Sequence, residues 1–157
     1  NAASPVLLGD RLFLTSSYGV GAVFAKLTAD DATELWRDRK LMASQYTTPI
    51  EHDGVLFGID GRQDVGVATL RCLDPAAKKI LWEETDFGYA TLLKADGKLL
   101  VQKTDGTLVL VKPDKTGYRE LSRASLVNGT VRALPALSDG LYFIRDEGTL
   151  FCYDLSR

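Results

Sequence analysis

The sequence is poor in the residues on which most enzyme chemistry depends. Among its 157 residues there is one histidine, His52, and there are two cysteines, Cys72 and Cys152. His52 stands beside Asp53 in a predicted tight turn, so it is expected to face solvent rather than to act as a base. No G-x-S-x-G elbow and no D-x-D-x-D-G calcium loop occur. These absences favour a protein with no catalytic residue, no metal site and no bound cofactor, but they leave enzyme activity undecided.

Long hydrophobic runs and an excess charge of one sign are also missing. No apolar stretch approaches the ~20 residues of a membrane span. The formal net charge is −2, and the basic residues are scattered along the chain. Because nucleic acids and acidic membranes select clustered basic residues, we expect no nucleic-acid partner and no membrane insertion.

Instead, the sequence contains four similar segments at a nearly constant spacing. Aligning Pro5, Pro49, Leu92 and Pro135 gives intervals of 44, 43 and 43 residues. A fixed period in this range is typical of a repeat architecture. The four segments are SPVLLGDRLFL from Ser4, TPIEHDGVLFG from Thr48, TLLKADGKLLV from Thr91 and LPALSDGLYFI from Leu134.

Each repeat is predicted to form four short antiparallel strands. An Asp-Gly or Gly-Asp pair follows the first strand in every copy, and such pairs favour the positive φ angles of a two-residue hairpin turn. The second strand is rich in Leu, Phe, Val and Tyr, which is typical of a strand packed between neighbours. Only Asp31–Lys40 would also suit a capped helix. The fourth repeat is predicted to have three strands.

The pattern predicts an all-β fold with about four β-propeller blades of four antiparallel strands. The whole chain, 1–157, is predicted to be one propeller segment. It would be an open arc, or half of a seven- or eight-bladed propeller. A closed ring of four blades is the alternative. The predicted blades are 4–40, 47–86, 90–124 and 133–157, of which the last lacks its fourth strand.

Four blades in an arc would expose two sheet faces and several strand edges, which is an aggregation hazard. We therefore expect self-association, a complementary half or the remainder of a longer protein to close the ring. The two cysteines hold the same place in two repeats, in RCLD and FCYD. Equivalent positions in different blades are too far apart for a disulfide, so both are expected to be small buried thiols.

The junction of the third and fourth strands carries a resemblance to a known repeat. In two copies a tryptophan ends an eleven-residue stretch, and in a weaker third copy Glu120 stands in its place. The stretches are KLTADDATELW from Lys26, CLDPAAKKILW from Cys72 and LVKPDKTGYRE from Leu110. They resemble the quinoprotein-type repeat, roughly A-x-D-x-x-T-G-x-x-x-W. The chain is similar to the pyrroloquinoline-quinone-like β-propeller repeat proteins of bacteria, which include outer-membrane assembly lipoproteins.

The resemblance implies that Trp36 and Trp82 dock one blade on its neighbour. Each indole N–H is then expected to find a backbone carbonyl of the adjoining blade as its acceptor. The resemblance also implies an exported, periplasmic bacterial protein, although the sequence does not identify the compartment.

Alternating strands place the loops from second to third strand and from fourth to first strand at one end of the blades. We call this end the loop face. Its connections are long and variable, which is where binding residues usually lie on a rigid scaffold. Six residues are predicted to project there or to line the central funnel: Tyr18, Tyr46, Arg62, Asp64, Tyr89 and Arg132.

The leading hypothesis for function is a non-catalytic propeller scaffold that binds a protein or peptide through the loop face. The alternative is part of a quinone- or sugar-binding propeller enzyme whose remaining site residues lie outside this chain. A third reading is that the chain has no activity of its own and completes a larger ring.

Overall fold

The computed structural model describes residues 3–156, in which all regular structure is β-strand. Residues 1, 2 and 157, at the two ends of the predicted segment, lie outside the described residues. The strands are β1 Val6–Leu8, β2 Arg11–Ser16, β3 Gly21–Leu27, β4 Ala32–Asp38, β5 Ile50–His52, β6 Val55–Arg62, β7 Val67–Asp74, β8 Lys79–Glu84, β9 Ala90–Ala95, β10 Lys98–Lys103, β11 Thr107–Val111, β12 Glu120–Ser125, β13 Ala136–Ser138, β14 Leu141–Arg145 and β15 Leu150–Asp154.

The strands form four antiparallel sheets, in each of which sequence neighbours pair. Sheet 1 is β1 to β4, sheet 2 is β5 to β8, sheet 3 is β9 to β12, and sheet 4 is β13 to β15. The predicted all-β fold with repeated antiparallel sheets is confirmed. Within the ambiguous segment 31–40, Ala32–Asp38 forms strand β4. This strand pairs with β3, and its Trp36 side chain packs in the core between sheets 1 and 2.

The turns between the first two strands have the expected backbone geometry. In sheets 2, 3 and 4 both turn residues have positive φ, for example 51° at Asp53 and 78° at Gly54. Asp tolerates this left-handed region and Gly adopts it at little cost, so the pair suits a type I′ hairpin. In sheet 1 the order is reversed and only Gly9 has positive φ, as a type II′ turn requires.

The third repeat departs from the strand positions that the repeat pattern predicts. The pattern predicts its fourth strand at Tyr118–Leu121, whereas the strand lies at Glu120–Ser125, after a longer connection. In sheets 1 and 2, Trp36 pairs with Phe24 and Trp82 pairs with Cys72. The equivalent rung of sheet 3 joins Leu110 to Ser122. Ser122, and not Glu120, therefore stands in the place of the tryptophan.

The length of the hairpin between the third and fourth strands explains why counting along the sequence missed this position. The connection spans residues 28–31 in sheet 1 and 75–78 in sheet 2, but 112–119 in sheet 3. Trp82 lies 10 residues after its partner Cys72, whereas Ser122 lies 12 residues after Leu110. The register shift that follows this rung occurs in all three four-stranded sheets, so it does not account for the difference.

The hydrophobic core consists of three separate clusters, each between consecutive sheets. Phe13, Phe24 and Leu56 lie between sheets 1 and 2. The largest cluster, which includes Phe57, fills the space between sheets 2 and 3. Tyr142 belongs to the third cluster, between sheets 3 and 4. Within residues 3–156 no cluster joins sheet 4 to sheet 1, so the four sheets form an open arc.

Alternating side chains of the inner strands serve two clusters at once. We call the side of a sheet that faces the next sheet in the chain its leading face and the opposite side its trailing face. In β6, Val55 and Phe57 point to sheet 3, whereas Leu56 points back to sheet 1. All three side chains are at most 3% exposed. This is why β6 reads as a nearly continuous apolar run.

The two tryptophans lie on leading faces and reach across to the next sheet. The indole Nε1–H of Trp36 donates to the carbonyl oxygen of Pro75 at 2.8 Å. Trp82 donates in the same way to the carbonyl of Asp114 at 2.7 Å. Each acceptor lies in the connection between the third and fourth strands of the neighbouring sheet, so each indole bridges two sheets.

The two cysteines differ in environment although they hold equivalent positions. Cys72 pairs with Phe57 and is fully buried, whereas Cys152 pairs with Phe143 and is exposed. The expectation of two buried thiols is therefore wrong for Cys152. The leading face of sheet 2 is covered by sheet 3, but nothing among the described residues covers the leading face of sheet 4.

We predict that Trp82→Ala destabilises the fold by about 3 kcal/mol, because it leaves a cavity in the largest cluster and removes the bond to Asp114. Trp82→Phe should cost less, since the ring is retained. Urea denaturation followed by circular dichroism measures both. Leu121→Ala, at an exposed position of β12, is the control. A Trp82→Ala midpoint equal to that of the control would contradict the docking role.

Candidate functional site

Hydrogen bonds connect the long loops of neighbouring sheets along the loop face. The amide of Gly61 donates to the carbonyl of Ala43, and the amide of Gly88 donates to that of Ala68. Val131 donates to the carbonyl of Thr104 at 3.0 Å. These bonds hold the connections after β4, β8 and β12 against the sheets, at the end where strand alternation also places the connections after β2, β6 and β10.

Three of the predicted residues form one polar cluster at the junction of sheets 1 and 2. The guanidinium of Arg62 lies 4.4 Å from the ring centre of Tyr18 and donates from Nε to Asp64 Oδ1 at 3.0 Å. Gln45 joins them, because its Nε2 donates to the Tyr18 hydroxyl at 2.8 Å and to Asp64 at 3.2 Å. Together, Tyr18, Gln45, Arg62 and Asp64 are called the polar cluster.

Charge pairing fixes the ionisation of the polar cluster. The hydrogen bond from Arg62 lowers the pKa of Asp64, and the same bond raises the pKa of Arg62. Both groups therefore stay charged across the physiological range. A guanidinium stacked on a tyrosine ring offers a partner both a cation and a flat apolar surface.

An open depression of about 900 Å³ lies beside the polar cluster. Tyr18 and Arg62 form part of its wall, and Arg39 and Lys40 add two further cations. Among residues 3–156, neither Arg39 nor Lys40 lies within 4 Å of a carboxylate. The depression is therefore a cationic surface with an aromatic side.

A partly buried ion-pair network supports the floor of this surface. Arg71, whose side chain is 14% exposed, contacts Asp60 at 2.9 Å and Glu83 at 3.0 Å. It also donates to the carbonyl oxygens of Lys40 and Leu41 at 2.8 and 3.1 Å. The second oxygen of Asp60 accepts the amide of Ala43. One arginine thus holds the loop between β4 and β5 against sheet 2.

The same loop is anchored to sheet 1 as well. The hydroxyl of Thr15 donates to the carbonyl of Met42 and accepts the amide of Ser44. Met42 itself is fully buried between the two sheets. Residues 39–49 therefore form a fixed connection, in which Arg39 and Lys40 are presented from a rigid base.

Tyr46 and Tyr89 form a second, inner group. Their ring centres are 4.5 Å apart, and the Tyr89 hydroxyl accepts the amides of Tyr46 and Thr47. Tyr89 does not project from the loop face, because it is 4% exposed and supports the loop from inside. The Tyr46 hydroxyl is buried with no hydrogen-bond partner among the described residues, and burial raises its pKa to about 12.

Arg132 lies apart from the polar cluster, in the connection that joins sheets 3 and 4. It lines a small depression of about 160 Å³ with Arg145 and Asp146. Its positive charge partly offsets the rise in the pKa of Tyr46. The six predicted residues thus fall into three groups. Tyr18, Arg62 and Asp64 belong to the polar cluster, Tyr46 and Tyr89 form a pair, and Arg132 lies alone.

Sequence reasoning missed Gln45, Asp60 and Arg71. The last two carried a signal, because each is a charged residue that directly follows a buried apolar residue of its strand, Ile59 in β6 and Leu70 in β7. Such a charge has to be paired. Gln45 carried no signal, since any polar residue suits an exposed loop.

Within residues 3–156, no three His, Cys, Asp or Glu side chains are grouped so that they could hold a metal ion. The described residues also contain no helix long and apolar enough to cross a membrane.

Stacked antiparallel sheets and a polar surface built from their loops define this chain as a β-propeller-type repeat protein. Among solved structures it is similar to the crystal structure of BamB from Moraxella catarrhalis, with a TM-score of 0.69. The likeness covers 96% of this chain at 11% identity, and the chain spans 41% of the length of that protein. At this identity the likeness shows the fold alone. No protein-family model and no curated protein matches the sequence.

We predict that Arg71→Met lowers the free energy of unfolding by about 3 kcal/mol, because it leaves the Asp60 carboxylate poorly solvated and without its partner. Urea denaturation measures the effect. Arg62→Met, the same exchange in the exposed polar cluster, is the control and should leave the midpoint nearly unchanged. Equal midpoints for the two variants would contradict the anchoring role of Arg71.

Proposed function

We propose that the chain is a non-catalytic propeller scaffold that binds a protein or peptide segment through its loop face. The observation that supports it best is the polar cluster beside the cationic depression. Arginine and tyrosine are the residue types most enriched at binding hot spots. Gln45, which lies on the rigid connection 39–49, donates hydrogen bonds to Tyr18 and to Asp64, the partner of Arg62. Binding would therefore require little ordering of loops.

The charge of the surface indicates the chemistry of the partner. Arg39, Lys40 and Arg62 face the depression, and only Arg62 has a carboxylate beside it, that of Asp64. An extended segment with acidic residues and an aromatic side chain would complement this surface. Tyr46 and Arg132 would extend the contact along the loop face.

Membership of the quinoprotein-type repeat family, and with it export to the periplasm, is part of the proposal. The tryptophan bridges at Trp36 and Trp82 and the fold likeness support it.

The test uses two fluorescein-labelled dodecapeptides that carry one tyrosine among glutamates or among lysines. We expect the acidic peptide alone to bind in fluorescence anisotropy at low salt. The double variant Lys40→Ala/Arg62→Ala should weaken binding about tenfold, because rim charges steer and hold a charged ligand.

Lys79→Ala/Lys98→Ala removes the same charge at exposed sites on the opposite end of the sheets and serves as the control. Equal loss of binding in both double variants, or equal binding of both peptides, would contradict a loop-face site.

A second proposal concerns the two uncovered sheet faces at the ends of the arc, which we propose bind a second copy of the chain. The trailing face of sheet 1 carries Leu7, Leu12, Leu14 and Val23, of which Leu7 is 62% exposed. The leading face of sheet 4 carries Leu141, Phe143, Leu150 and Cys152, of which Leu150 is 70% exposed.

The polarity of these faces supports a head-to-tail arrangement. Every internal joint sets the leading face of one sheet on the trailing face of the next. The open ends are one leading face and one trailing face, so two copies can form two more joints of the same kind. Such heterologous contacts close into a ring when the rotation allows it, here with eight sheets.

Light scattering should then give twice the 17.2 kDa of one chain. Cys152 should react with a thiol reagent more slowly as protein concentration rises, because the partner covers it. Burial raises the pKa of Cys72 to about 12, so that thiol does not interfere.

Leu14→Lys and Leu141→Lys should both restore the monomer, whereas Leu121→Lys on β12 should not. A wild-type monomer whose Cys152 reactivity is independent of concentration would contradict closure by a second copy.

A further inference from the structure

The joint between sheets 3 and 4 lacks the tryptophan that bridges the other two joints. At the first joint the Trp36 ring lies 5.7 Å from Phe24, and at the second the Trp82 ring lies 5.8 Å from Phe57. At the third joint the equivalent rung carries Ser122, which is exposed.

A groove of about 780 Å³ lies at this position. Ser122 lines it, together with Leu100 and Leu110 of the same rung and Leu137 from sheet 4. The volume is within the range of about 300–1,000 Å³ that is typical of ligand pockets. Its walls are mainly apolar, and Asp96 and Asp139 lie at its rim.

The joint does not need the groove to be filled in order to hold together. Tyr142, which pairs with the groove residue Leu137, is fully buried, and its hydroxyl reaches across the joint to donate to Gln102 Oε1 at 3.1 Å. The amide of Gln102 donates in turn to the carbonyl oxygens of Lys103 and Thr107. This satisfied polar pair joins sheets 3 and 4 beside the groove.

Main chain follows the third strand of sheet 4 as it does in the two sheets that accept an indole. Pro75, which accepts the Trp36 indole, lies three residues after Cys72, and Asp114, which accepts the Trp82 indole, lies four residues after the equivalent Leu110. The corresponding residues of sheet 4 are Leu155 and Ser156, three and four residues after Cys152, and Leu155 lines the groove.

We propose that this groove binds a tryptophan side chain from an extended segment of a partner polypeptide. In the two filled joints the indole comes from the outer strand of the sheet. In sheet 3 the outer strand is β12, whose residues 121–125 are exposed, so an extended segment can lie along its free edge. The small side chain of Ser122 leaves the entrance open from that edge.

The site is distinct from the loop-face surface and does not depend on it. The groove opens among the tight turns at Asp96 and Asp139, which lie at the opposite end of the sheets from Tyr18 and Arg62. The two proposals can therefore fail independently.

The test compares two soluble octapeptides, identical except for a central tryptophan or leucine, by two-dimensional amide NMR of the ¹⁵N-labelled chain. We expect the tryptophan peptide to shift resonances of Leu100, Leu110, Ser122 and Leu155, with at least tenfold weaker effects from the leucine peptide. N-acetyl-tryptophanamide tests the bare indole. If it binds as tightly as the peptide, the assignment to a polypeptide partner is overturned.

Two variants complete the test. Ser122→Trp should fill the groove from within, raise the melting temperature and weaken binding of the tryptophan peptide at least tenfold. Ser125→Trp, the same exchange on the trailing side of β12, should change neither. The proposal is wrong if the peptide shifts map elsewhere, or if both variants bind it equally. It is also wrong if Ser122→Trp lowers the melting temperature below that of Ser125→Trp.

Discussion

Every feature of this chain depends on the packing of one twisted sheet face on the next. An isolated four-stranded sheet of this composition would leave two apolar faces in water, at a cost that its few hydrogen bonds could not offset. Sheets 2 and 3 each stack between two neighbouring sheets, so both of their faces are covered. Sheets 1 and 4 each have one covered face and one exposed face, which explains the exposed leucines and the difference between Cys72 and Cys152.

The three joints reach the same result with different side chains. Two are bridged at the turn end by Trp36 and Trp82, whose indoles combine a large apolar area with one directed hydrogen bond. The third is held by the hydrogen bond from the buried Tyr142 to Gln102. Because any well-packed combination can close a joint, the repeat tolerates the loss of a tryptophan, and the space it would fill becomes a groove.

The loop face shows how far residue type and position predict a site. Tyr18, Arg62 and Asp64 could be placed at one end of the sheets from strand alternation alone, since alternation decides at which end a loop lies. Gln45, which connects them, could not, because its position follows from the path of the connection 39–49 across two sheets. That path is set by Thr15, Asp60 and Arg71, none of which is close to Gln45 in sequence.

The sequence was sufficient for the features that local physics controls. The period of the repeat, the Asp-Gly turns and the apolar second strands depend on residues that are near one another in the chain. The fold, however, decided which side chains meet across a joint and which remain uncovered. The pairing of Leu110 with Ser122 rather than with Glu120 is one example, and the missing cover over sheet 4 is the other. Both are properties of neighbouring strands and sheets, and no local pattern records them.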